Sequence, residues 1–315
     1  MIPQLAYILC AGEGTRLIPI TEYIPKCLLP VVDKPMVCYV FDELRCIGIK
    51  KFIVNLFVHF REIRDNLEAY AKKNKIQIIF LQEKRILGTG GAIKNALNYL
   101  NEPFFLVNCD FIPSGFSFKN MVKAHKTGAT LALRPKKSYE TYNPVGVKRK
   151  YVCRVENIFG CGGRDYVFLG VHILTSDILK FLDKRLKIFD IFNGLYKNAF
   201  LNKEKISAYI QNDYWFSADP GTLKGYLQTN FKMLELKKLK SYISKRSKIG
   251  DSKIGDKSII CDNVVICDNA KISNSIILSD SYIKSDIVIK DSIVLGNPDR
   301  DLINSVYVHG RIRNF

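Results

Sequence analysis

The sequence predicts an α/β fold in which a Rossmann-like, mostly parallel sheet is followed by a short left-handed parallel β-helix. Three observations lead to this prediction. Leu5 to Cys10 is an apolar run that breaks into a glycine-rich loop, strand and helix patterns then alternate as far as residue 110, and isoleucines recur every five or six residues near the carboxyl end. Alternating strands and helices are typical of a parallel sheet covered by helices, and a six-residue period is typical of a β-helix.

The apolar periodicity assigns the elements of the first half in chain order. Gly12 and Gly14 stop the first strand, and a stripe of apolar residues predicts a helix from Pro35 to Ile47. The elements that follow are a strand at 51–57, a helix at 61–74, a strand at 76–81, a glycine turn at 88–91 that opens a helix at 92–100, and a strand at 104–109. Asp110 follows the last of these strands. Because open α/β sheets bind ligands beyond the carboxyl ends of their strands, the loop, the glycine turn and Asp110 are candidate site elements.

The second half has a less regular pattern until the isoleucine series begins. Strand-like segments at 130–134, 166–174 and 205–210 suggest a substrate-facing lobe built on the sheet. The aliphatic series then consists of Ile249, Ile254, Ile260, Ile266, Ile272, Ile277, Ile283, Ile289 and Val294. An antiparallel meander would not keep these residues so strictly in phase, and nine steps correspond to about three coils. We expect a sheet domain over 1–235, a basic linker at 236–246, the β-helix over 247–297 and a carboxyl-terminal tail at 298–315.

The charge balance favours acidic partners. The chain has 315 residues, and Lys plus Arg outnumber Asp plus Glu by 48 to 30, a net charge of +18. Such a surface attracts phosphorylated substrates, nucleic acid or anionic membranes, although a merely solvated basic surface is the alternative. The cations are scattered except at 237–248, where no aromatic residues interleave them, so nucleic-acid binding is not predicted.

The cysteine pattern and the apolar runs indicate a reduced, cytoplasmic protein. Nine cysteines occur without a Cys-x-x-Cys pair and with only four histidines, which argues against disulfides and structural zinc. No apolar run approaches the roughly 20 residues of a membrane span. The amino terminus leads directly into the glycine-rich loop and is predicted to be a strand rather than a signal peptide.

The loop after the first strand has the composition of a phosphate-binding loop. Gly12 and Gly14 let backbone N–H groups turn toward one point, and Arg16 and Lys26 add positive charge beside them. The loop lacks the third glycine of a dinucleotide loop and the Gly-Lys-Ser/Thr ending of a P-loop. A tight structural turn is therefore the alternative on spacing alone.

The longer pattern around this loop carries a family resemblance. Gly-x-Gly-Thr-Arg-Leu-x-Pro-x-Thr over 12–21, followed by Pro25-Lys26 and Leu28-x-Pro30-Val31, resembles the signature of the nucleotide-sugar pyrophosphorylases, the sugar-1-phosphate nucleotidyltransferases. Cys27 stands where that family often has proline. The resemblance implies a GT-A-like nucleotidyltransferase domain over 1–235, and the isoleucine series resembles the hexapeptide-repeat domains attached to many members. The implied reaction is attack by a sugar 1-phosphate oxygen on the α-phosphorus of a nucleoside triphosphate, with release of pyrophosphate.

The resemblance also implies catalytic and metal-binding residues. Arg16 would clamp the β- and γ-phosphates, and Lys26 would lie between the α-phosphate and the sugar phosphate; the alternative for both is a surface cation. Asp110 and Asp219 would hold Mg²⁺, although an aspartate in such a position can also cap a helix or turn. Asp219 belongs to Asp-Pro-Gly-Thr, which resembles the closing segment of the family, and the region around Ser217 is the other candidate for that metal position.

The substrate-binding residues implied by the resemblance lie in both halves of the predicted sheet domain. The Gln82-Glu83 pair and the turn at Gly88 would meet the nucleoside, whereas without the resemblance Gln82 is a strand-end amide and Gly88 an ordinary turn. No Glu-Lys-Pro triplet follows Val155, and only Glu156-Asn157 remains there, so the sugar is poorly specified. The expected binding residues are Gly12, Gly14, Thr15, Gln82, Gly88, Gly146 and Glu156.

Three functions from different classes are compatible with this pattern. The first is transfer of a nucleotidyl group to a sugar 1-phosphate, with GTP and mannose- or heptose-1-phosphate ahead of a uridylyl- or thymidylyltransferase. The second is a non-catalytic scaffold of the same fold, which is disfavoured because Arg16, Lys26 and Asp110 are retained. The third is a bifunctional acyltransferase, which would need a histidine base; residues 245–297 contain none and only His309 lies beyond. The repeat is therefore predicted to be an oligomerisation or regulatory module, with homo-oligomers formed through it.

Overall fold

The computed structural model describes residues 2–138, 140, 143–155, 162–212 and 219–315. By internal contact the chain divides into two units, which we call the sheet unit (Met1–Gly12 and Tyr39–Trp215) and the repeat unit (Glu13–Cys38 and Phe216–Phe315). The first strand therefore belongs to the sheet unit, whereas the loop from Glu13 onward belongs to the repeat unit. The domain bounds expected from the sequence stay predictions.

Up to residue 110 the helices and the longer strands follow the order expected from the periodicity, whereas the short strands at 30–35, the strands at 145–155 and the helices at 118–124 and 197–201 were not predicted. The α-helices of the described residues are α1 (Met36–Cys46), α2 (Phe60–Asn74), α3 (Gly88–Asn95), α4 (Phe118–Ala124), α5 (Lys197–Leu201) and α6 (Leu223–Leu236). The strands up to residue 210 are β1 (Leu5–Leu9), β2 (Pro30–Val31), β3 (Lys34–Pro35), β4 (Lys51–Leu56), β5 (Gln77–Gln82), β6 (Phe104–Asn108), β7 (Ala129–Pro135), β8 (Val145–Lys148), β9 (Tyr151–Val155), β10 (Arg164–Leu174) and β11 (Ile206–Ile210). The predicted glycine turn is itself the first turn of α3.

The sheet unit contains one nine-stranded sheet with the order β5-β4-β1-β6-β10-β7-β11-β9-β8. Strands β5, β4, β1 and β6 are parallel, which confirms the arrangement predicted for the first half. Strand β10 is antiparallel to β6 and β7, and β8 is antiparallel to β9 and β10. Strand β11 pairs in parallel with β7. The sheet is therefore mixed: the strands of its amino-terminal half are all parallel, whereas the later strands combine parallel and antiparallel pairs.

The antiparallel pairing of β8 with β9 has a local cause. Strands β8 and β9 are joined by only Arg149 and Lys150, and Arg149 has a left-handed φ of 60°. Such a short connection joins antiparallel neighbours, since parallel neighbours need a crossover of a dozen or more residues. The sequence did not reveal this hairpin, because Arg-Lys is not among the residue pairs favoured in tight hairpin turns.

The centre of the sheet is buried on both faces. Nearly every residue of β1, β4 and β6 is buried, as expected for parallel strands covered by helices on both sides. Phe104 and Phe105 are adjacent and face opposite sides of β6, yet both are fully buried. Each contributes roughly 1.5–3 kcal/mol of burial free energy, so the strand that leads to Asp110 is firmly held.

The repeat unit is built from short strands that pair at a fixed interval along the chain. They are β12 (Tyr242–Ile243), β13 (Lys248–Ile249), β14 (Lys253–Ile254), β15 (Ile259–Ile260), β16 (Val265–Ile266), β17 (Lys271–Ser273), β18 (Ile276–Ile277), β19 (Tyr282–Ile283), β20 (Val288–Lys290), β21 (Ile293–Leu295), β22 (Leu302–Ile303), β23 (Ser305–Val308) and β24 (Arg311–Asn314). From β12 to β18, each strand pairs in parallel with the strand three positions later. This arrangement is compatible with the predicted β-helix. Strands β22, β23 and β24 extend the sheets into 298–315, which the sequence had left as a tail.

The turns of the repeat unit explain its polar residues. The turns between the short strands contain Asn263, Asn269, Asn274, Asp280, Asp286 and Asp291, all with φ between 48° and 62°. Asn and Asp tolerate this left-handed conformation better than other residues that carry a side chain. The aliphatic residues between these turns form one buried cluster that includes Ile260, Ile277 and Val294. The period in the sequence therefore reflects two structural requirements at each step. One aliphatic residue must be buried, and one residue must adopt the left-handed turn conformation.

The helices and the cysteines of the described residues are as follows. None of these helices has the length and apolar composition needed to cross a membrane. The eight cysteines in the described part of the chain are free thiols.

One buried polar pair lies in the core of the sheet unit. His172 of β10 is 3% exposed, and its Nδ1 lies 2.7 Å from the hydroxyl of the fully buried Tyr196. Burial lowers the pKa of His172 from 6.5 to about 3. The imidazole of the folded protein therefore stays neutral at pH values at which the same imidazole in the unfolded chain binds a proton.

We predict that His172 makes the protein sensitive to acid. Between pH 6.5 and about pH 3 the unfolded state binds a proton that the folded state does not, so stability falls as pH falls, by up to about 1.4 kcal/mol per pH unit. In His172→Gln, whose amide oxygen can accept from Tyr196, this contribution should disappear. Urea unfolding at pH 7.5, 6.0 and 5.0 measures the difference, and parallel stability curves for the two proteins would contradict it.

Candidate active site

The glycine-rich loop places Arg16 on a short 3-10 helix, Thr15–Leu17. Gly14 precedes this helix with φ +68°, and its carbonyl accepts from Leu17 N at 2.8 Å and from Thr21 Oγ1 at 3.0 Å. A Cβ at Gly14 would lie 2.9 Å from the Thr21 methyl and 3.2 Å from Lys26 Cβ. Glycine is therefore required here by backbone conformation and by space, and the close packing brings Lys26 toward the Arg16 segment.

The repeat unit brings Arg16, Lys26 and Asp219 together around Gly221. Arg16 Nη1 lies 2.5 Å from Asp219 Oδ2, and Gly221 N donates to Asp219 Oδ1 at 2.9 Å. A Cβ built on Gly221 would lie 2.7 Å from Arg16 Nη2 and 3.0 Å from Lys26 Nζ. The Arg16 side chain is nevertheless 60% exposed. Two cations and one carboxylate therefore share one accessible site, which is suited to binding an anion.

Helix α6 fixes the position of Asp219. Thr222 caps the helix by accepting from Gly225 N at 3.1 Å, and its own N–H donates to the Asp219 carbonyl at 3.2 Å. A Cβ at Gly225 would lie 1.9 Å from that carbonyl oxygen, so only glycine allows the tight approach. The Asp-Pro-Gly-Thr segment thus forms the entry to a helix and also orients a carboxylate toward Arg16.

A buried hydrogen-bond network joins the carboxyl ends of three strands in the sheet unit. Asn55 at the end of β4 accepts from Cys10 N at 3.0 Å and donates to Glu83 Oε1 at 2.8 Å. The other Glu83 oxygen accepts from Leu87 N at 3.1 Å. Asn55 and Glu83 are only 3% and 4% exposed, and burial raises the pKa of the Glu83 carboxyl. This network positions the backbone that leads into Gly12 and the turn that contains Gly88.

The side chain of Glu83 is therefore turned into this network, whereas the resemblance had placed the Gln82-Glu83 pair at the nucleoside. Gln82, its neighbour, is exposed at the end of β5. Asn55 was missed by sequence reasoning. A polar residue inside the apolar run of β4 is a recognisable signal, because a buried side-chain amide is expected to be hydrogen-bonded.

The glycines of the second turn are explained by the backbone of Phe189. Gly90 N and Gly91 N both donate to the Phe189 carbonyl, at 3.0 and 3.2 Å. Gly88 has φ +73°, and a Cβ there would lie 2.5 Å from the same oxygen. Two N–H groups at the start of α3 are thus occupied by a protein carbonyl rather than presented to a ligand. Phe189 lies about 100 residues away in the chain, and the sequence contained no signal for it.

Three further candidates lie in the described residues, namely Asp110, Gly146 and Thr15. Asp110 is half-buried two residues after β6, beside the end of β1, since Cys109 N donates to the Leu9 carbonyl at 3.3 Å. Gly146 lies in β8 against Arg154, whose Cβ would be 2.9 Å from an added methyl group. Thr15 is exposed on the Arg16 helix. Glu156 and Ser217 lie outside the described residues.

Asp110 of the sheet unit and Asp219 of the repeat unit are the two carboxylates expected to hold a metal. Within the described ranges, no group of three or more His, Cys, Asp or Glu side chains could hold a metal ion. Each of the two residues supplies carboxylate oxygens, the donors that Mg²⁺ prefers, and Mg²⁺ often uses one or two carboxylates together with substrate phosphates. The donor chemistry of each residue fits Mg²⁺, and the magnesium site stays a prediction.

The Glu83 network leads to a stability prediction. Glu83→Ala would leave the buried Asn55 amide and Leu87 N–H without their acceptor, and we expect a loss of about 2 to 4 kcal/mol in the free energy of unfolding. Glu68, whose ion pair with Arg64 is exposed, provides the control, and Glu68→Ala should cost less than about 0.5 kcal/mol. Urea denaturation of both variants makes the comparison. Equal stabilities would show that the Glu83 bonds contribute little.

Comparison with known proteins bears on the family of the chain. The family model described as "Nucleotidyl transferase" matches residues 5–235. A D-glycero-alpha-D-manno-heptose 1-phosphate guanylyltransferase from Campylobacter jejuni is 31% identical over 217 residues, which cover 67% of this chain and 92% of that protein. A mannose-1-phosphate guanylyltransferase catalytic subunit beta from Drosophila melanogaster is 35% identical over 123 residues, 38% of this chain and 33% of that protein.

A solved structure shares the fold. The inositol-1-phosphate CTP transferase from T. maritima superimposes with a TM-score of 0.60 at 17% identity, covering 75% of this chain and 98% of that one. At this identity the similarity concerns the fold alone. The family match over more than half of the sequence, together with the Campylobacter relative, confirms both the resemblance drawn from the first loop and the prediction of an enzyme: the chain belongs to the nucleotidyl transferase family.

Proposed function

We propose that this chain transfers a nucleotidyl group from a nucleoside triphosphate to a sugar 1-phosphate, with GTP and a heptose- or mannose-1-phosphate as the substrates. The observation that carries the proposal is the placement of Arg16, Lys26 and Asp219 around Gly221. The guanylyl group and the two sugars are supported by the names of the Campylobacter and Drosophila relatives. Uridylyl or thymidylyl transfer is the alternative, since base choice depends on a few contacts.

The chemistry requires two anions to approach each other. A sugar 1-phosphate oxygen attacks the α-phosphorus and the bond to the β-phosphate oxygen breaks, so catalysis depends on positioning and on stabilising charge. The reaction needs no nucleophilic side chain. Cations that are held in place before the substrates arrive reduce the electrostatic repulsion between them.

We assign Arg16 to the β- and γ-phosphates and Lys26 to the region between the α-phosphate and the sugar phosphate. A guanidinium binds two oxygens at once and suits the departing pyrophosphate, whereas an ammonium acts as a compact point charge. The Asp219 carboxylate lies 2.5 Å from the Arg16 guanidinium. Binding of a triphosphate would exchange part of this ion pair for phosphate oxygens.

The remaining assignments follow the family resemblance. Gly12, Gly14 and Thr15 would contact the nucleotide through the first loop, Gln82 and Gly88 would contact the nucleoside, and the sugar would meet Gly146 and Glu156. Asp110 and Asp219 would hold Mg²⁺ together with phosphate oxygens. When bound, this ion would neutralise phosphate charge.

We further propose that the repeat strands form the left-handed β-helix expected from the sequence and that copies of the chain associate through it. The threefold interval of strand pairing supports a coil. Strand β24 is exposed along its whole length, with Ile312 at 47%, and an exposed edge strand is a surface that another subunit can cover.

A pyrophosphate-release assay tests the activity and its substrates together. With Mg²⁺, four nucleoside triphosphates and a panel of sugar 1-phosphates, we expect turnover to be fastest with GTP. Asp110→Ala should lower the rate at least about a hundredfold, whereas Asp65→Ala, on the exposed face of α2, should not change it. Unchanged turnover in Asp110→Ala would remove the metal assignment, and nucleotide binding without turnover by any pair would favour a scaffold.

Gly221→Ala should separate activity from stability. The new methyl group would displace the ends of Arg16 and Lys26, which are flexible, so the fold should tolerate it while the rate falls roughly 10- to 100-fold through misplaced cations. Gly255→Ala, in the repeat strands where a Cβ would lie 3.2 Å from Ser273, is a matched control that should keep the wild-type rate. Thermal unfolding and pyrophosphate release measure the two properties. A fully active Gly221→Ala protein would contradict the proposed roles of both cations.

A further inference from the structure

The carboxyl-terminal hairpin contacts the segment that carries Arg16. This hairpin consists of β23 and β24, and both it and the loop belong to the repeat unit. Arg313 Nη1 donates to the Ile18 carbonyl at 2.9 Å, and Arg311 forms an ion pair with Glu22. The hairpin therefore binds this segment on both sides of Pro19, within a few residues of Arg16.

Aromatic contacts reinforce this attachment. The Arg311 guanidinium lies 5.8 Å from the centre of the Tyr23 ring, and its Nη2 lies 3.4 Å from the Tyr23 hydroxyl. The imidazole of His309, at the tip of the hairpin, lies 4.6 Å from the same ring. A cation over an aromatic face is attracted by the ring quadrupole, so the contact does not depend on a single ion pair.

The segment is well held at some points and weakly bonded at others. It consists of two single-turn 3-10 helices, Thr15–Leu17 and Ile20–Glu22, in which Leu17 and Ile20 are fully buried. The bond from Leu17 N to the Gly14 carbonyl is 2.8 Å long, whereas the bonds from Ile18 N to the Thr15 carbonyl and from Glu22 N to the Pro19 carbonyl are 3.3 and 3.4 Å long, and 3-10 hydrogen bonds have poor geometry in general. The hairpin therefore contacts the segment at Ile18 and Glu22, where its own bonds are longest.

The hairpin, by contrast, is anchored in the repeat sheets. Val306 and Val308 of β23 are fully buried, and β23 pairs in parallel with β21. The Tyr307 hydroxyl donates to the Asn297 carbonyl at 2.8 Å, and Ser305 N donates to Ser292 Oγ at 3.2 Å. The hairpin, which is anchored in the repeat sheets, thus presents Arg311 and Arg313 to the 3-10 segment that carries Arg16.

We propose that the carboxyl-terminal hairpin is a brace for the glycine-rich loop, in which Arg311 and Arg313 are positioning residues that hold the Arg16 segment in place. The catalytic consequence of this brace rests on the proposed function, because there Arg16 binds the triphosphate. The mechanical part does not depend on the reaction.

The ion pair of the brace should be weakened by mutation of either partner and by salt. The Arg311 guanidinium lowers the pKa of the Glu22 carboxyl, so this group is ionised in the pair. Both side chains are 40% or more exposed, and single exposed ion pairs are weak and screened by salt. Several contacts must therefore act together, and reversing the charge of one partner should have a larger effect than removing it.

Hydrogen exchange without substrates tests the brace directly. In Arg311→Glu, amides in peptides covering 15–24 should exchange at least about threefold faster than in the wild type, since an attraction becomes a repulsion. Arg300→Glu reverses another exposed arginine, which pairs with its neighbour Asp299, and should leave these peptides unchanged. The double variant Glu22→Arg/Arg311→Glu restores opposite charges and should recover protection. Arg313→Met tests the bond to the Ile18 carbonyl separately.

Kinetics on the same variants test the consequence for Arg16. Arg311→Glu should lower kcat/KM for the nucleoside triphosphate about tenfold through misplacement of Arg16, with recovery in Arg311→Lys and in the double variant and no effect in Arg300→Glu. Unchanged exchange and kinetics in Arg311→Glu would overturn the proposal, as would a double variant that recovers neither. If the wild type turned over no substrate pair, the proposed function would fail, while the exchange comparison would still support or overturn the brace.

Discussion

The ion pair between Arg16 and Asp219 is the contact on which the candidate site depends. Arg16 and Lys26 approach the same point beside Gly221. Their two positive charges repel each other, and a carboxylate between them or close by offsets this repulsion. Asp219 supplies this compensation from the start of α6, and Gly221 supplies the space because it has no side chain. The same arrangement keeps Arg16 exposed and oriented, so a triphosphate would find both cations already gathered.

The loop that carries these cations is held mainly by residues that lie far from it in the sequence. Helix α6 binds the segment after the loop through Asn230, which accepts from Val32 N at 2.8 Å, and through Tyr226, whose hydroxyl donates to the Pro30 carbonyl. The carboxyl-terminal hairpin binds the segment between Arg16 and Lys26. A loop with short 3-10 turns can therefore present two charged side chains, because it is contacted by two elements, one nearly 200 residues and the other about 290 residues later in the chain.

The sheet unit holds several strand ends in register where the nucleoside is proposed to bind. Asn55 and Glu83 do this with buried hydrogen bonds, and Phe189 does it by occupying the space that the glycines of α3 leave open. These groups are buried and satisfied, and none of them needs to touch a substrate. They show why a motif residue such as Glu83 can matter for a site without lying in it, since a buried carboxylate costs free energy unless its bonds are made.

The sequence by itself determined the parallel first half of the sheet, the glycine-rich loop with its two cations, and the phase of the isoleucine series, because each depends on local periodicity or on residues close together in the chain. Only the tertiary structure decided that β10 lies antiparallel between β6 and β7, that Glu83 faces Asn55, and that Phe189 and Arg311 contact loops about 100 and 290 residues away. Such contacts arise when distant segments are brought together by burial of the core, and their free energies are not encoded in any short stretch of sequence. Arg16 illustrates both cases: its place in the motif is local, whereas its ion-pair partner Asp219 lies 203 residues later in the chain.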